Sequence, residues 1–347
     1  MTRRHIDYFD FLRVIAVFAV IVIHITSIGI YYYDIESSVW KASTLVNCIS
    51  HWAVPIFFMI SGALFLSPQR ELSLKKLYSK NIKRIVICIV VWGFFYSLLD
   101  QYIYASLSLK SVLIAVYGIF TDNTGYHLWF LYTLVMLYIA VPLFRIITGN
   151  ASKRMLQYAL IMWVLFSLLV GQINGFAKDF EFSEELLPYS PYVIASYGGY
   201  FLGGYYFTEY PLKGKAKSIC YALSVASIVA IIAIKIIFRN LLSITTFTPE
   251  MSMGILSCLI AVGVFTLAQN IRLSDLWKKI FGFIGKYTFG IYLTHVFFIS
   301  VVFHMFNLKF DYCQPLLAII ISSTAMFVIS LLTSWLMSKI PLLRKLV

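Results

Sequence analysis

Arg13 and His24 stand eleven residues apart with only apolar residues between them. On an α-helix, eleven steps of about 100° close three turns with roughly 20° to spare, so the two side chains share a face. Along the axis they are about 16 Å apart. A guanidinium fork suits a phosphate, and an imidazole that titrates near neutrality suits removal of a hydroxyl proton. A ligand with an anionic head and a reactive group about 15 Å away would meet both. Acyl-coenzyme A has that shape, with phosphates at one end, a pantetheine arm and then a thioester. The plainer alternative for His24 is a buried histidine bonded to a neighbouring carbonyl.

The helix that positions this pair belongs to an unusually apolar chain. Of its 347 residues, 61% are hydrophobic and 12% are charged. Stretches of about 20 apolar residues recur from end to end, each long enough to cross a hydrocarbon layer of about 30 Å. Spans are expected near 10–32, 41–66, 85–105, 128–147, 155–172, 191–209, 218–238, 251–269, 281–305 and 315–338. The expected fold class is an all-α integral membrane protein, a bundle of about ten transmembrane helices with both termini cytoplasmic. A membrane barrel would need alternation with period two, which is absent. No linker, low-complexity tract or clear internal repeat divides the chain, so 1–347 reads as one transmembrane domain.

The net charge of +13 could suggest nucleic acid, but its distribution speaks for topology. Under this threading all but six of the 28 Lys and Arg residues fall on the cytoplasmic side. The six are Lys41, Lys110, Lys178, Lys235, Arg239 and Lys309. That asymmetry is the positive-inside rule, and membrane lipid is the expected surroundings. The five cysteines show no zinc or redox spacing, so neither a metal nor a structural disulfide is expected. The basic, then apolar, N-terminus lacks a small-residue cleavage site and reads as a retained first helix. Residues 106–127 contain an apolar stretch too short to cross, expected to be interfacial or re-entrant. Residues 173–190 form an acidic outer loop, and 67–84 a basic, amphipathic cytoplasmic one.

Four segments carry a resemblance to a known family. FDFLRVIAVFAVIVIH, ending at His24, resembles the start of the membrane acyltransferase 3 family, with its D-x-L-R and R-x10-H spacing. VPIFFMISGALF at 54–65 is similar to the family's second span, HLWFLY at 127–132 to the start of its fourth, and KYTFGIYLTH at 286–295 to a late S/T-x-G-I-Y-x-x-H segment. The likeness runs in order over essentially the whole chain. Its compact build, without an appended extracellular domain, resembles the enterobacterial common antigen O-acetyltransferases of that family.

The resemblance implies transfer of an acyl group, usually acetyl from acetyl-CoA, to a hydroxyl of a cell-surface glycan or its lipid-linked precursor, in a bacterial inner membrane. Carried over by position, His24 matches the essential histidine and Arg13 the essential arginine. Asp10, three residues before Arg13, either orients its guanidinium or serves the helix N-terminus. Lys83, Arg84 and Lys286 either add phosphate contacts or anchor the cytoplasmic ends of their spans. His127 and His295 match family positions and are expected to face the acceptor. Trp129 is an acceptor residue or a membrane-belt anchor, and Tyr292 shares the face of His295. His51 stands where close relatives often carry Arg, just before the V-P-x-F-F stretch. Ser61 and Gly62 serve either close helix packing or the site. All four site histidines thus fall at mid-membrane or above, and the cationic candidates below. The rival from another class is a proton-coupled transporter of a small solute, which also uses buried histidines. Against it stand the lack of paired half-repeats and the scarcity of buried carboxylates.

Overall fold

The computed structural model describes residues 7–104, 107–121, 124–173, 194–242, 254–306, 309–310 and 312–347, with the side chains of 194–196, 236–242 and 304 excepted. His5, the side chain of His304 and nearly all of the acidic segment 173–190 lie outside the described residues. No strand occurs among those described.

The first helix, α1 (Asp7–Tyr32), is a 26-residue apolar run with Asp7 and Asp10 in its first turn, where acidic groups suit the helix dipole. Ser37 caps α2 (Ser38–Ser50) by accepting from the Trp40 amide at 3.1 Å. After a break at His51 and Trp52 comes α3 (Ala53–Phe65), and the pair forms one continuous apolar stretch. The single turn α4 (Leu74–Lys76) and a wide-turn segment, Leu77–Ile82, lead into α5 (Lys83–Tyr104). The short apolar stretch expected within 106–127 is α6 (Leu109–Thr121), which packs on α5.

Two expected spans are bent. Residues 128–147 divide into α7 (Trp129–Ile139) and α8 (Val141–Asn150), which meet at 54°. Pro142 cannot donate to the carbonyl four residues back, so the helix breaks there. Residues 281–305 divide at 61° between α13 (Asp275–Gly285) and α14 (Thr288–Ile299). Tight bonds from Lys286 N to Phe283 O (3.3 Å) and Tyr287 N to Ile284 O (2.8 Å) close α13. The apolar helix expected here therefore starts at Thr288, and 281–285 belong to an amphipathic helix with Leu276, Trp277 and Phe283 exposed.

The remaining α-helices among the described residues are α9 (Lys153–Trp163), α10 (Ile194–Glu209), α11 (Gly214–Leu242), α12 (Ile255–Asn270) and α15 (Pro315–Lys339). Among the described residues six helices are long and apolar enough to cross a membrane, or eight if each bent pair is one span. Apolar side chains cover much of the outside, including Val86, Val90 and Phe95 on α5 and Ile320, Val328 and Leu332 on α15. Such surface suits lipid and not water.

The helix bearing the candidate pair sits at the centre, packed by α2, α3, α12, α13, α14 and α15. Beside it α3 and α10 touch backbone to backbone. A Cβ on Gly62 would lie 1.7 Å from Phe201 O, and one on Gly204 1.9 Å from Met59 O. Gly62 thus serves close helix approach. All five cysteines are free.

Candidate active site

Three elements bring three imidazoles together. His24 comes from α1, His127 from the turn just before α7, and His295 from α14. Ring centroids are 5.2 Å apart for His24–His295, 5.5 Å for His127–His295 and 6.5 Å for His24–His127. His127 and His295 are 2% and 0% exposed, whereas His24 is only half-buried. His295 Nδ1 lies 3.2 Å from Ile291 O. A carbonyl only accepts, so Nδ1 carries the proton and Nε2 keeps a bare lone pair. That Nε2 and both ring nitrogens of His127 are buried without a protein partner. Each such atom costs about 1–3 kcal/mol if it stays unpaired.

The neighbours hold the rings in place. Tyr292 donates its hydroxyl to His127 O and sets its ring 5.6 Å from the imidazole. Tyr96 donates to Leu293 O at 2.6 Å, accepts from the Phe297 amide at 3.2 Å, and meets His127 edge-on at 4.8 Å. It thereby ties α5 to α14 at the level of the cluster. Tyr126 presents its ring to His24 at 5.1 Å. Neither Tyr96 nor Tyr126 was signalled by spacing or motif.

His51 stands outside the three-ring cluster and works through another side chain. Its Nε2 is 2.9 Å from Asn47 Oδ1, and Asn47 Nδ2 donates to Ile23 O at 3.0 Å and Thr26 Oγ1 at 2.9 Å. This chain fixes α1 on both sides of His24. Trp129 also lies apart from the cluster: its ring packs on Tyr197 of α10 at 5.4 Å.

At the other end of α1, Arg13 donates to Asp10 Oδ1 at 2.7 Å, with side-chain exposures of 29% and 10%. The backbone of α13 comes close here, because a Cβ on Gly285 would lie 3.0 Å from the Asp10 carboxyl carbon. Tyr138 of α7 is within electrostatic reach of Arg13. On the α1 face between Arg13 and His24, Val17 and Val20 are packed into the core.

The other cations are dispersed. Lys83 and Lys286 are exposed and form no ion pair among the described residues. Arg84 lies over the Phe289 ring at 5.0 Å and donates to Val347 O, while Trp92 Nε1 donates to Leu346 O at 3.0 Å. The segment that ends in Val347 therefore contacts Arg84, which stays exposed; the sequence did not foretell this contact.

A cluster of under-partnered imidazoles beside a half-open one can exchange protons with a hydroxyl, but geometry alone does not name the reaction. The family described as Acyltransferase domain matches residues 6–338. The chain belongs to the acyltransferase 3 family. No curated protein and no solved structure matches it. The matched range spans α1 to α15, so all three histidines, Arg13 and Asp10 lie within the acyltransferase unit. Among the described residues no group of three or more His, Cys, Asp or Glu is placed to hold a metal ion. Within the matched range the candidate site brings together imidazole nitrogens and tyrosine rings, with the Arg13–Asp10 pair three turns away on α1.

Proposed function

We propose that this acyltransferase moves an acyl group, acetyl in the first instance, from acyl-CoA to a hydroxyl of a cell-surface glycan or a lipid-linked glycan precursor. Arg13, oriented by Asp10, holds the donor phosphates, with Lys83, Arg84 and Lys286 adding charge at the same end. His24 takes the proton of the acceptor hydroxyl. The hydroxyl oxygen then attacks the thioester carbonyl, the C–S bond breaks, and the coenzyme A thiolate leaves and recovers the proton from the imidazolium. His295, whose bare Nε2 only accepts, receives a hydrogen bond from the acceptor, His127 donates its free N–H to the developing charge on the carbonyl oxygen, and Tyr292 positions His127. Val17 and Val20 must yield for a pantetheine arm to pass between the two ends.

One observation carries this reading: three imidazoles converge within 6.5 Å, and two of them leave buried nitrogens with no protein partner. The carrier reading has no comparable family support. In membrane terms the eight spans become ten when α10 and α12 are counted. An even number of spans would leave both termini on one side; the reading takes that side to be the cytoplasm of a bacterium, with the Arg13 end inside and the histidines toward the outer face.

The test is the thermal stability of the purified protein with acetyl-CoA. Acetyl-CoA should raise the melting temperature of the native chain and leave that of Arg13→Ala unchanged. Absence of any shift in the native chain, or an equal shift in Arg13→Ala, would contradict the donor site.

A further inference from the structure

Tyr96, Asp100 and Tyr104 follow one another at four-residue steps along α5, so each stands about one turn, ~6 Å, beyond the last on nearly the same face. The Tyr96 end of this stripe is fixed against His127 at 4.8 Å. Since Arg84 lies at the Phe289 end of α14 and Tyr96 at Leu293, the stripe leads away from the Arg13 end. At its far end Tyr104 meets Tyr32, eight residues beyond His24 on α1. Tyr126 closes a third side, with its ring 5.1 Å from His24, and Asp100 is within electrostatic reach of it. Tyr32, Tyr104 and Tyr126 are 64%, 64% and 58% exposed.

Asp100 is half-buried amid these rings, and no hydrogen bond or ion pair engages it among the described residues. It stands one helical turn beyond Tyr96, whose ring meets His127 in a cluster that already offers unpartnered nitrogens. An ionised carboxylate only accepts hydrogen bonds, so it calls for donors. Tyrosine rings offer flat apolar faces around it. A sugar ring supplies both, with hydroxyl donors on its edge and C–H groups on its faces. One hydroxyl can lie against His24 while another on the same or the adjoining ring reaches the carboxylate one helical turn beyond Tyr96.

We infer that Asp100 determines which acceptor is used: its carboxylate accepts hydrogen bonds from hydroxyls of the sugar being acylated, and its charge restricts the site to uncharged sugars over acidic ones. An acidic sugar brings a like charge to a partly desolvated carboxylate, where repulsion is felt more strongly than in water. The inference rests on the transfer reading above and deepens its acceptor half.

The experiment uses the full chain in lipid nanodiscs with acetyl-CoA and two oligosaccharides of equal length. One is an N-acetylglucosamine oligomer, and the other alternates N-acetylglucosamine with glucuronate. Binding and acetyl transfer are both measured. The native chain should favour the neutral oligomer. Asp100→Leu should raise KM for it about tenfold, with KM for acetyl-CoA unchanged. Asp100→Asn, which keeps an accepting carbonyl without the charge, should preserve much of the neutral affinity and improve use of the acidic oligomer about tenfold. Equal use of both by the native chain, preference for the acidic one, use of neither, or an unchanged ratio in Asp100→Asn would overturn the inference. The acetyl-CoA thermal shift reads the donor site separately, so a failed acceptor role is distinguishable from a failed donor role.

Discussion

Arg145 and the histidine cluster are both polar knots inside an apolar bundle, yet they are finished differently. Arg145, on α8, donates to Phe65 O at 3.1 Å, Ser67 O at 2.8 Å and Arg70 O at 2.8 Å. Beside it Thr148 Oγ1 donates to Leu66 O at 2.8 Å. These bonds satisfy carbonyls at and beyond the C-terminus of α3, which an isolated helix leaves open. The histidine cluster instead holds its rings by their edges and backbones and leaves nitrogens unspent. Saturated hydrogen bonding suits a scaffold role, and the unpartnered ring nitrogens suit the proposed site.

Substitutions should separate the two. The largest effect is expected for His24→Ala, which should lower kcat about a thousandfold, within the usual range for losing a general base. Its melting temperature should stay close to native, because His24 is half-buried and forms no hydrogen bond with the described residues. Arg145→Ala should do the reverse: it strands several carbonyls at once, costing about 3 kcal/mol of stability in detergent unfolding, with kcat of the surviving folded protein nearly native. His127→Leu sharpens the contrast further. It should lower transfer about a hundredfold, yet leave stability unchanged or raised, since it removes two unpartnered nitrogens from the core. A marked fall in melting temperature for His127→Leu would place that ring with the scaffold. The smallest effect is expected for Arg13→Lys, which keeps the charge but loses the fork. KM for acetyl-CoA should rise about tenfold with kcat little changed.

The sequence revealed those parts of the site whose geometry is local. Arg13, His24 and Asp10 share a face because they lie on one uninterrupted helix, where residue spacing alone fixes relative direction. That His127 and His295 would join them rested on family motifs, because no spacing relates residues on different helices. Tyr96, Tyr126 and Asn47 carried no signal at all, since their roles arise only when α2, α5 and the turn before α7 close on α1. Trp129 shows the limit of a motif: beside His127 in sequence, its ring packs on Tyr197 because neighbours on a new helix face different ways. Of the bends, Pro142 was legible in principle, and the one at Lys286 and Tyr287 was not, because hydropathy runs through it unbroken.

The regions also differ in what covers them. The segment through Leu346 and Val347 lies across Arg84 and Trp92 near the start of α5, while the histidine end is rimmed by exposed tyrosines.

A single-turnover measurement separates binding from chemistry most directly. Native protein and His24→Ala are each loaded with radiolabelled acetyl-CoA, and bound donor and acetylated oligosaccharide are counted on the same samples. The expected result is equal donor binding, with product formed by the native protein and almost none by the variant. Product formation by His24→Ala at the native rate would show that the His24 imidazole does not take the acceptor's proton.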